Sequence, residues 1–386
     1  MGQAVVRMDP AAPRPGRVPR GAFGTPEVSR GALGACLGGG AGWGRGAGSR
    51  RGGGALGTMG AMRYLEQLGT AKRYSVIGLG TWQFGSKEWG YGDDYAGGES
   101  AKIVARAREL GITVFDTAEA YGFGRSERIL GDALASTGGT GDTVVASKIF
   151  PILPTAPVVQ QRGVASAQRL GVRTIDLYQV HQPNPLVGDA TTMRGMRALR
   201  DVGIVDEVGV SNYSPDRWRA AETALGSRLL SNQVQFSLVA REPMDELIPW
   251  AQRTGHLVMA WSPLAQGLLT GRYDADHRPS NTVRQTSVWL PENLDAARPL
   301  LDTLRDVASA HDASPAQIAL AWVLHFPNVV AIPGASSVRQ VESNAAAADI
   351  TLTDGEHAGL TAAAQAYRPR TGIPALPRLV ADKLGR

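Results

Sequence analysis

Short runs of aliphatic and β-branched residues alternate with longer stretches of helical periodicity from residue 75 onward. Eight such runs can be counted, and most of them end in a small or polar residue or are followed directly by one. They cover residues 75–79, 113–116, 143–147, 175–180, 208–210, 231–235, 257–260 and 329–332. This alternation is typical of βα units arranged around a parallel sheet.

The stretches between the runs carry apolar residues at helical spacing, and several open with Ser or Thr, which cap helix N-termini. The clearest predicted helices cover residues 99–110, 126–134, 191–202, 214–225 and 244–253. Eight strands with crossover helices in about 310 residues predict a (β/α)8 TIM barrel, an α/β fold. A doubly wound sheet would need Gly-x-Gly-x-x-Gly after the first strand, but Gln83 stands where the third glycine belongs.

Composition adds that the chain is a folded protein with an unusual N-terminal segment. It has 386 residues, of which 43% are hydrophobic and 19% charged, which is ample for a large core. The net charge of +5 is concentrated in residues 1–61, which hold eight Arg against Asp9 and Glu27. The remaining residues are close to neutral, so their charge gives no case for a nucleic-acid partner.

Residues 1–61 also contain 18 of the 48 glycines and show neither helical nor strand periodicity. Such a segment buries too little apolar area to offset its ordering entropy, so we predict a disordered leader and a barrel over 62–386. The leader lacks the apolar core of a signal peptide, and an Arg-rich import sequence would need an amphipathic order that is missing. We expect instead that translation starts at Met59 or Met62.

The single cysteine, Cys36, lies in this leader, so residues 62–386 can form no disulfide and no thiolate metal site. No run of 18 apolar residues follows residue 60, which predicts that no segment spans a membrane. We therefore expect a cytoplasmic protein with no bound metal. The sequence leaves the oligomeric state open.

Polar residues close successive predicted strands, and in a TIM barrel the carboxyl ends of the strands form the active site. Asp116 ends the second strand, with Tyr121 in the following loop, while Lys148 and His181 come directly after the third and fourth. Ser211 and Asn212 come directly after the fifth strand, and Gln233 lies in the sixth.

Each of these residues also has a purely structural interpretation. Asp116 could cap the following helix, Lys148 could extend along the rim, and His181 could be a hydrogen-bonded core histidine. Packing alone would favour apolar residues at successive strand ends of one barrel. Together, the acid, phenol, amine and imidazole therefore predict a catalytic site.

Several motifs give a specific resemblance. Asp116-Thr-Ala-Glu-Ala-Tyr121-Gly, Ser147-Lys148, Leu177-Tyr-Gln-Val-His181 and Gly209-Val-Ser-Asn212 resemble the tetrad and nicotinamide-binding motifs of the aldo-keto reductase family. Residues 232–238, 261–271 and 332–344 are similar to later coenzyme segments of that family. The resemblance covers roughly residues 63–360. It is to the bacterial type of the family, which is related to the branch of the potassium channel β subunits.

The resemblance implies reduction of aldehydes or ketones to alcohols, with Asp116, Tyr121, Lys148 and His181 as the catalytic tetrad. Reducing a carbonyl requires a hydride at carbon and a proton at oxygen, and a phenol with a pKa near 10 is a reluctant acid. We expect the Lys148 cation to lower the pKa of Tyr121 and Asp116 to hold the ammonium. His181 would orient the substrate oxygen.

The same resemblance implies NADPH as coenzyme, with NADH as the alternative. Ser211, Asn212 and Gln233 would hydrogen-bond the nicotinamide carboxamide, and Trp261, where relatives commonly have tyrosine, would stack on the ring. Thr81, Trp82 and Asp116 complete the expected contacts around the nicotinamide.

The loop from Ser262 to Gly271, with Leu264 and Gly267, resembles the family's pyrophosphate loop, although a Pro/Gly-rich connection would look similar. Many relatives bind the 2′-phosphate with Arg or Lys after the eighth strand, whereas this chain has Ser336 there, with Arg339 nearby. Channel β subunits also have serine at this point and keep NADPH. Gln340 and Asn344, one helical turn apart, would contact the adenine.

Two other functions fit part of the pattern. Metal-assisted hydrolysis would need paired histidines or clustered carboxylates at strand ends, and His181 is a single histidine there. A nucleotide-sensing interaction subunit like the channel β proteins usually has asparagine at the position of His181, so the intact tetrad favours turnover. The resemblance implies a small carbonyl substrate. Its aromatic walls are expected among Trp82, Phe84, Trp89, Phe150 and Trp289, with core packing as the alternative for each.

Overall fold

The computed structural model describes residues 62–65, 68–85, 98–274, 276–279 and 286–371. The predicted leader at 1–61 and Trp89 lie outside these residues. Two short strands, β1 (Tyr64–Leu65) and β2 (Tyr74–Ser75), pair antiparallel. The described chain then forms an eight-stranded parallel sheet in sequential order from β3 to β10. Its strands are β3 (Leu79–Gly80), β4 (Val114–Asp116), β5 (Val144–Ile149), β6 (Ile175–Val180), β7 (Val205–Ser211), β8 (Ser231–Gln235), β9 (Leu257–Trp261) and β10 (Val329–Ala331).

Backbone hydrogen bonds between the first and last strands close the sheet into a barrel. Gly78 N donates to Ala331 O (2.8 Å), and Ala331 N donates to Val76 O (2.9 Å). A Cβ atom on Gly80 would lie 2.9 Å from the carbonyl oxygen of Ile332. The two glycines that resemble a dinucleotide fingerprint therefore lie at the barrel closure, where backbones approach closely. The predicted TIM barrel is confirmed.

Helices follow the strands on the outside of the barrel, as the helical periodicity predicts. They are α1 (Ser100–Glu109), α2 (Arg125–Ser136), α3 (Ala156–Leu170), α4 (Asp189–Asp201), α5 (Pro215–Leu225), α6 (Leu247–Arg253), α7 (Pro291–Ala310), α8 (Pro315–Val323), α9 (Val338–Ala346) and α10 (Asp354–Ala366). Ser214 caps α5 by accepting a hydrogen bond from Arg217 N. Among the described residues, no helix combines the length and the apolar composition needed to cross a membrane.

The antiparallel pair β1–β2 is absent from the sequence prediction, which has one strand over 75–79. That strand is wrong in its bounds, because residues 74–75 pair with β1 and only residues 79–80 join the parallel sheet. Tyr74 and Leu68 pack against an apolar cluster that includes Val114, Leu177 and Leu257. Strands of two residues carry no periodicity, so the sequence pattern cannot reveal them.

Candidate active site

The four predicted catalytic residues come together at the carboxyl ends of three neighbouring strands. Asp116 ends β4, Lys148 lies in β5, and His181 follows β6 directly. Lys148 Nζ donates to Asp116 Oδ2 (2.6 Å), to the carbonyl oxygen of Thr117 (2.8 Å) and to the hydroxyl of Tyr121 (3.3 Å). The ammonium thus has three hydrogen-bond acceptors, and both charged side chains of the pair are buried.

Tyr121 lies in the loop between β4 and α2, and its ring packs against two other rings. Its centroid is 6.1 Å from that of Trp82 and 5.7 Å from that of His181, which it meets edge to face. Lys148 Nζ also lies 5.0 Å from the centroid of the tyrosine ring. Ring packing and the lysine therefore fix the direction of the hydroxyl.

The protonation states follow from burial and from this contact between charges. Burial alone would lower the pKa of Lys148, but Asp116 and Tyr121 together raise it above its ordinary value. Lys148 is therefore cationic at neutral pH. Burial also lowers the pKa of His181 to about 3, assisted by the Lys148 charge, so its imidazole is neutral.

The predicted lowering of the Tyr121 pKa is wrong as a net effect. Burial raises the pKa of the phenol by more than Lys148 lowers it, and Asp116 raises it further. Tyr121 is therefore protonated at neutral pH, the form that a proton donor needs. The lysine acts in the predicted direction, but the sequence could not show how deeply the hydroxyl is buried.

Gln233, predicted to bind the nicotinamide, holds the second oxygen of the catalytic carboxylate. Its Nε2 donates to Asp116 Oδ1 (2.7 Å) from β8, across the barrel. Thr81 fixes the backbone of Asp116, because the amide and the hydroxyl of Thr81 both donate to Asp116 O. Asp116 is therefore held through each carboxylate oxygen and through its carbonyl.

Ser211, Asn212 and Trp261 form a connected group at the ends of β7 and β9. Ser211 Oγ donates to Gln233 O (2.8 Å), and Asn212 Nδ2 donates to His181 O (3.1 Å). Trp261 Nε1 donates to Asn212 Oδ1 (3.1 Å), which fixes the orientation of the indole. Asn212 has a φ of +60°, a left-handed conformation that asparagine tolerates well.

A cavity of about 640 Å³ extends from the tetrad across the β7–β10 side of the barrel rim. Its volume is in the range of cofactor sites. All of the predicted coenzyme residues line it: Thr81, Trp82, Asp116, Ser211, Asn212, Gln233, Trp261, Ser262, Leu264, Gly267, Ser336, Arg339, Gln340 and Asn344. Their contacts with a dinucleotide stay a prediction.

The loop after β9 has an unusual backbone where the pyrophosphate is predicted to bind. Ser262, Ala265 and Gln266 have φ values of +49°, +48° and +58°, and Gly267 has a φ of +105°. Only glycine adopts such angles without cost, so three residues of this loop have a strained backbone. That the loop binds the pyrophosphate stays a prediction.

At the far end of the cavity, α9 presents the predicted 2′-phosphate and adenine residues. Gln340 Oε1 accepts hydrogen bonds from the amide of Ser336 (2.7 Å) and from its hydroxyl (3.0 Å). Arg339 is exposed and forms no ion pair with the described residues. Arg272, which no sequence motif identifies, also lines the cavity. A cation directly after Gly271 is the signal that could have identified it.

The predicted aromatic walls divide into two groups. Trp82 lines the cavity, and Phe150 packs edge to face against His181 at 5.9 Å. Phe84 and Trp289 instead belong to the hydrophobic core, which is the packing alternative for these two residues. The presence of an aromatic residue does not show whether its side chain faces the core or the site.

The sequence model of the Aldo/keto reductase family matches residues 76–365. The chain is 52% identical over 325 residues to an uncharacterized oxidoreductase of Mycobacterium tuberculosis, covering 84% of this chain and 100% of that protein. It is 32% identical over 301 residues to an aldo-keto reductase of Bacillus subtilis, covering 73% and 87%. It also matches the crystal structure of an aldo-keto reductase from Klebsiella pneumoniae in complex with NADPH, at 28% identity and a TM-score of 0.63, covering 82% and 97%. The chain therefore belongs to the aldo/keto reductase family.

Proposed function

We propose that the protein is an NADPH-dependent reductase that converts aldehydes or ketones to alcohols, with Tyr121 as the general acid. One observation carries this proposal: Lys148 contacts both the Asp116 carboxylate and the Tyr121 hydroxyl at the edge of a cavity that His181 also lines. This arrangement supplies a proton donor beside a buried cation, which carbonyl reduction requires.

The residues of the cavity fit a dinucleotide phosphate. Hydroxyl and amide groups of Ser211 and Asn212 lie next to the tetrad, where an amide-bearing ring would need them. Arg272 and Arg339 lie among the residues that line the rest of the cavity, and they supply positive charge for phosphates. NADPH bound there supplies the hydride that the carbonyl carbon accepts. The NADPH complex of the Klebsiella pneumoniae relative supports this choice.

Tyr121 donates its proton to the carbonyl oxygen as the carbon accepts the hydride, so the product is a neutral alcohol. The tyrosinate that remains lies within reach of the Lys148 ammonium, 3.3 Å away in the resting protein. Asp116 keeps that ammonium in position through its 2.6 Å contact. His181, neutral because its pKa is about 3, orients the carbonyl oxygen by hydrogen bonding and adds no charge.

The test is oxidation of NADPH by the purified protein with a panel of aldehydes, ketones and sugars. We expect turnover of at least one class and a stoichiometric alcohol product. A protein that binds NADPH but turns over no carbonyl in the panel would refute the reductase proposal. That result would support the nucleotide-sensing subunit instead.

A further inference from the structure

Exposed apolar side chains are concentrated on one side of the barrel mouth. Among the described residues, seven large hydrophobic side chains are exposed. Five of them lie on the loops that follow β3, β4, β5 and β6, namely Trp82, Phe123, Ile152, Leu153 and Leu186. The other two, Val164 and Val202, lie on the outer helical layer. Large exposed apolar patches mark ligand or interaction sites more often than single exposed residues do.

Two of these residues also have a strained backbone. Phe123 is 97% exposed with a φ of +52°, and Leu153 is 60% exposed with a φ of +45°. A bulky residue at positive φ is a genuine outlier, and exposure gives neither side chain a packing gain that would offset the strain. Folding therefore does not explain the phenylalanine and the leucine at these positions. Binding of an apolar ligand to this surface would explain them.

The loops that carry this surface are joined to each other and to the catalytic groups. Phe123 follows Tyr121 by two residues, and Phe150 contacts His181. Asn184 Nδ2 donates to Pro151 O (2.6 Å), and the amide of Leu186 donates to Asn184 Oδ1 (2.7 Å). The loops after β5 and β6 thus form one surface next to the proton donor.

The loops after β4, β5 and β6 carry almost no charge of their own. In residues 117–124, 150–155 and 181–188, the single Asp, Glu, Lys or Arg is Glu119. Its carboxylate accepts hydrogen bonds from Arg162 and from the amide of Phe150, so it is already engaged. These three loops themselves carry no Lys or Arg. The arginines that contact them, Arg162 and Arg217, are already paired with Glu119 and Asp189.

From these observations we propose that the substrate is an aldehyde or ketone with an uncharged apolar body, an aliphatic chain or an arene. The carbonyl lies at Tyr121 and His181, and the apolar body lies across the loops after β4, β5 and β6. This inference rests on the proposed reductase function and narrows its substrate class. Phosphorylated sugars and keto acids are disfavoured, since their charge would meet an apolar surface.

The experiment measures kcat/KM with NADPH for straight-chain aldehydes from propanal to decanal. We expect kcat/KM to rise about two- to four-fold per methylene while the chain still contacts the loops. The variants Phe123→Asn and Leu153→Asn remove the apolar side chains, and asparagine tolerates the left-handed backbone. We expect each to lower the decanal-to-propanal ratio of kcat/KM several-fold. Using a ratio within one variant cancels any effect on the tetrad itself.

Val202→Asn is the matched control, because Val202 is 72% exposed but ends α4, shortly before β7 begins on the opposite face of the barrel. Its ratio should equal that of the wild type. A wild-type ratio near one, with propanal reduced efficiently, would overturn this inference and leave the reductase function intact. An equal loss in Val202→Asn would also overturn it. If the wild type reduced neither short nor long aldehydes, nor any other carbonyl, the reductase function itself would fail.

A dimer of the wild type that dissociates in Phe123→Asn and Leu153→Asn, with no change in the ratio, would assign the surface to contacts between copies of the chain. That result would likewise overturn the substrate proposal. Size-exclusion chromatography of the same variants measures it.

Discussion

Replacing Tyr121 by phenylalanine should abolish carbonyl reduction while the protein stays folded and still binds NADPH. The substitution deletes one hydroxyl and keeps the ring, so the contacts of the ring with Trp82 and His181 remain. Lys148 loses its 3.3 Å contact but keeps Asp116 at 2.6 Å and Thr117 O at 2.8 Å. The buried charge is therefore still satisfied, and we expect a stability loss of about 1 kcal/mol or less.

The effect on the chemical step should be much larger, because no neighbouring group can replace the phenol. His181 has a pKa of about 3, so at neutral pH it has no readily released proton. The pKa of Lys148 is raised above its ordinary value by Asp116 and Tyr121 despite burial, which makes it a weaker acid than free lysine. General acid catalysis is typically worth about 10²- to 10⁴-fold, or roughly 3 to 5 kcal/mol, and we expect a loss of at least that range.

The comparison should use single-turnover hydride transfer, since release of the coenzyme can limit steady-state turnover and conceal the chemical step. Fluorescence titration of NADPH and thermal unfolding measure binding and stability in parallel. Tyr74→Phe is the control, because Tyr74 is a buried tyrosine of the β1–β2 pair and takes no part in the tetrad. Its hydride-transfer rate should match the wild type. Retention of more than about a tenth of that rate in Tyr121→Phe would refute Tyr121 as the acid.

Four further predictions concern Lys148, His181, Arg339 and Glu119. Lys148→Met should stop hydride transfer and also lower stability by about 3 to 5 kcal/mol in thermal or denaturant unfolding, because it leaves the Asp116 carboxylate buried without its cation; unchanged stability would contradict the buried pair. His181 should add no inflection to the kcat/KM profile between about pH 5 and 8, since its pKa is about 3. The imidazole of His181 takes up a proton near pH 6.5 in the unfolded chain but only near pH 3 in the folded chain. Through His181, the free energy of unfolding should therefore fall as the pH falls from 6.5 toward 3, by at most about 1.4 kcal/mol per pH unit. Arg339→Ala should lower the NADPH/NADH ratio of kcat/KM several-fold, and an unchanged ratio would exclude its contact with the 2′-phosphate. Glu119→Gln should slow hydride transfer, because Glu119 ties the Tyr121 loop to Arg162 and to the amide of Phe150; the control Glu127→Gln breaks the comparable Arg169 pair behind Ser147 and should lower stability alone.

The sequence predicts the meeting of Asp116, Lys148 and His181 because of a general property of parallel barrels. All eight strands end at the same rim, so polar residues that close neighbouring strands must lie near one another. The register confirms this, since Asp116 pairs with Ala146 and Lys148 with Gln179. No such general property predicts the β1–β2 pair, whose strands of two residues carry no periodic pattern.

Side-chain amides show a different limit. The sequence predicts that Gln233 and Gln340 contact the coenzyme. In the structure they are hydrogen-bonded to Asp116 and Ser336. An amide carries a donor end and an acceptor end, so each residue uses one end within the protein and keeps the other. Gln233 donates with Nε2 and keeps its oxygen, whereas Gln340 accepts with Oε1 and keeps its NH₂ group. The residue type alone does not show which end remains for a ligand.

Electrostatics could be predicted in sign for each pair of groups but not for their sum. The family resemblance implies that Lys148 lies beside Tyr121, and the cation does act to lower the pKa of the phenol. Burial acts in the opposite direction and is the larger effect, and its size depends on how far the hydroxyl lies from solvent. That depth is set by the closure of the whole barrel, including Trp82 and His181, which come from other loops. A neutral phenol that ionises only as it transfers its proton is therefore a property of the assembled site, and no single motif contains it.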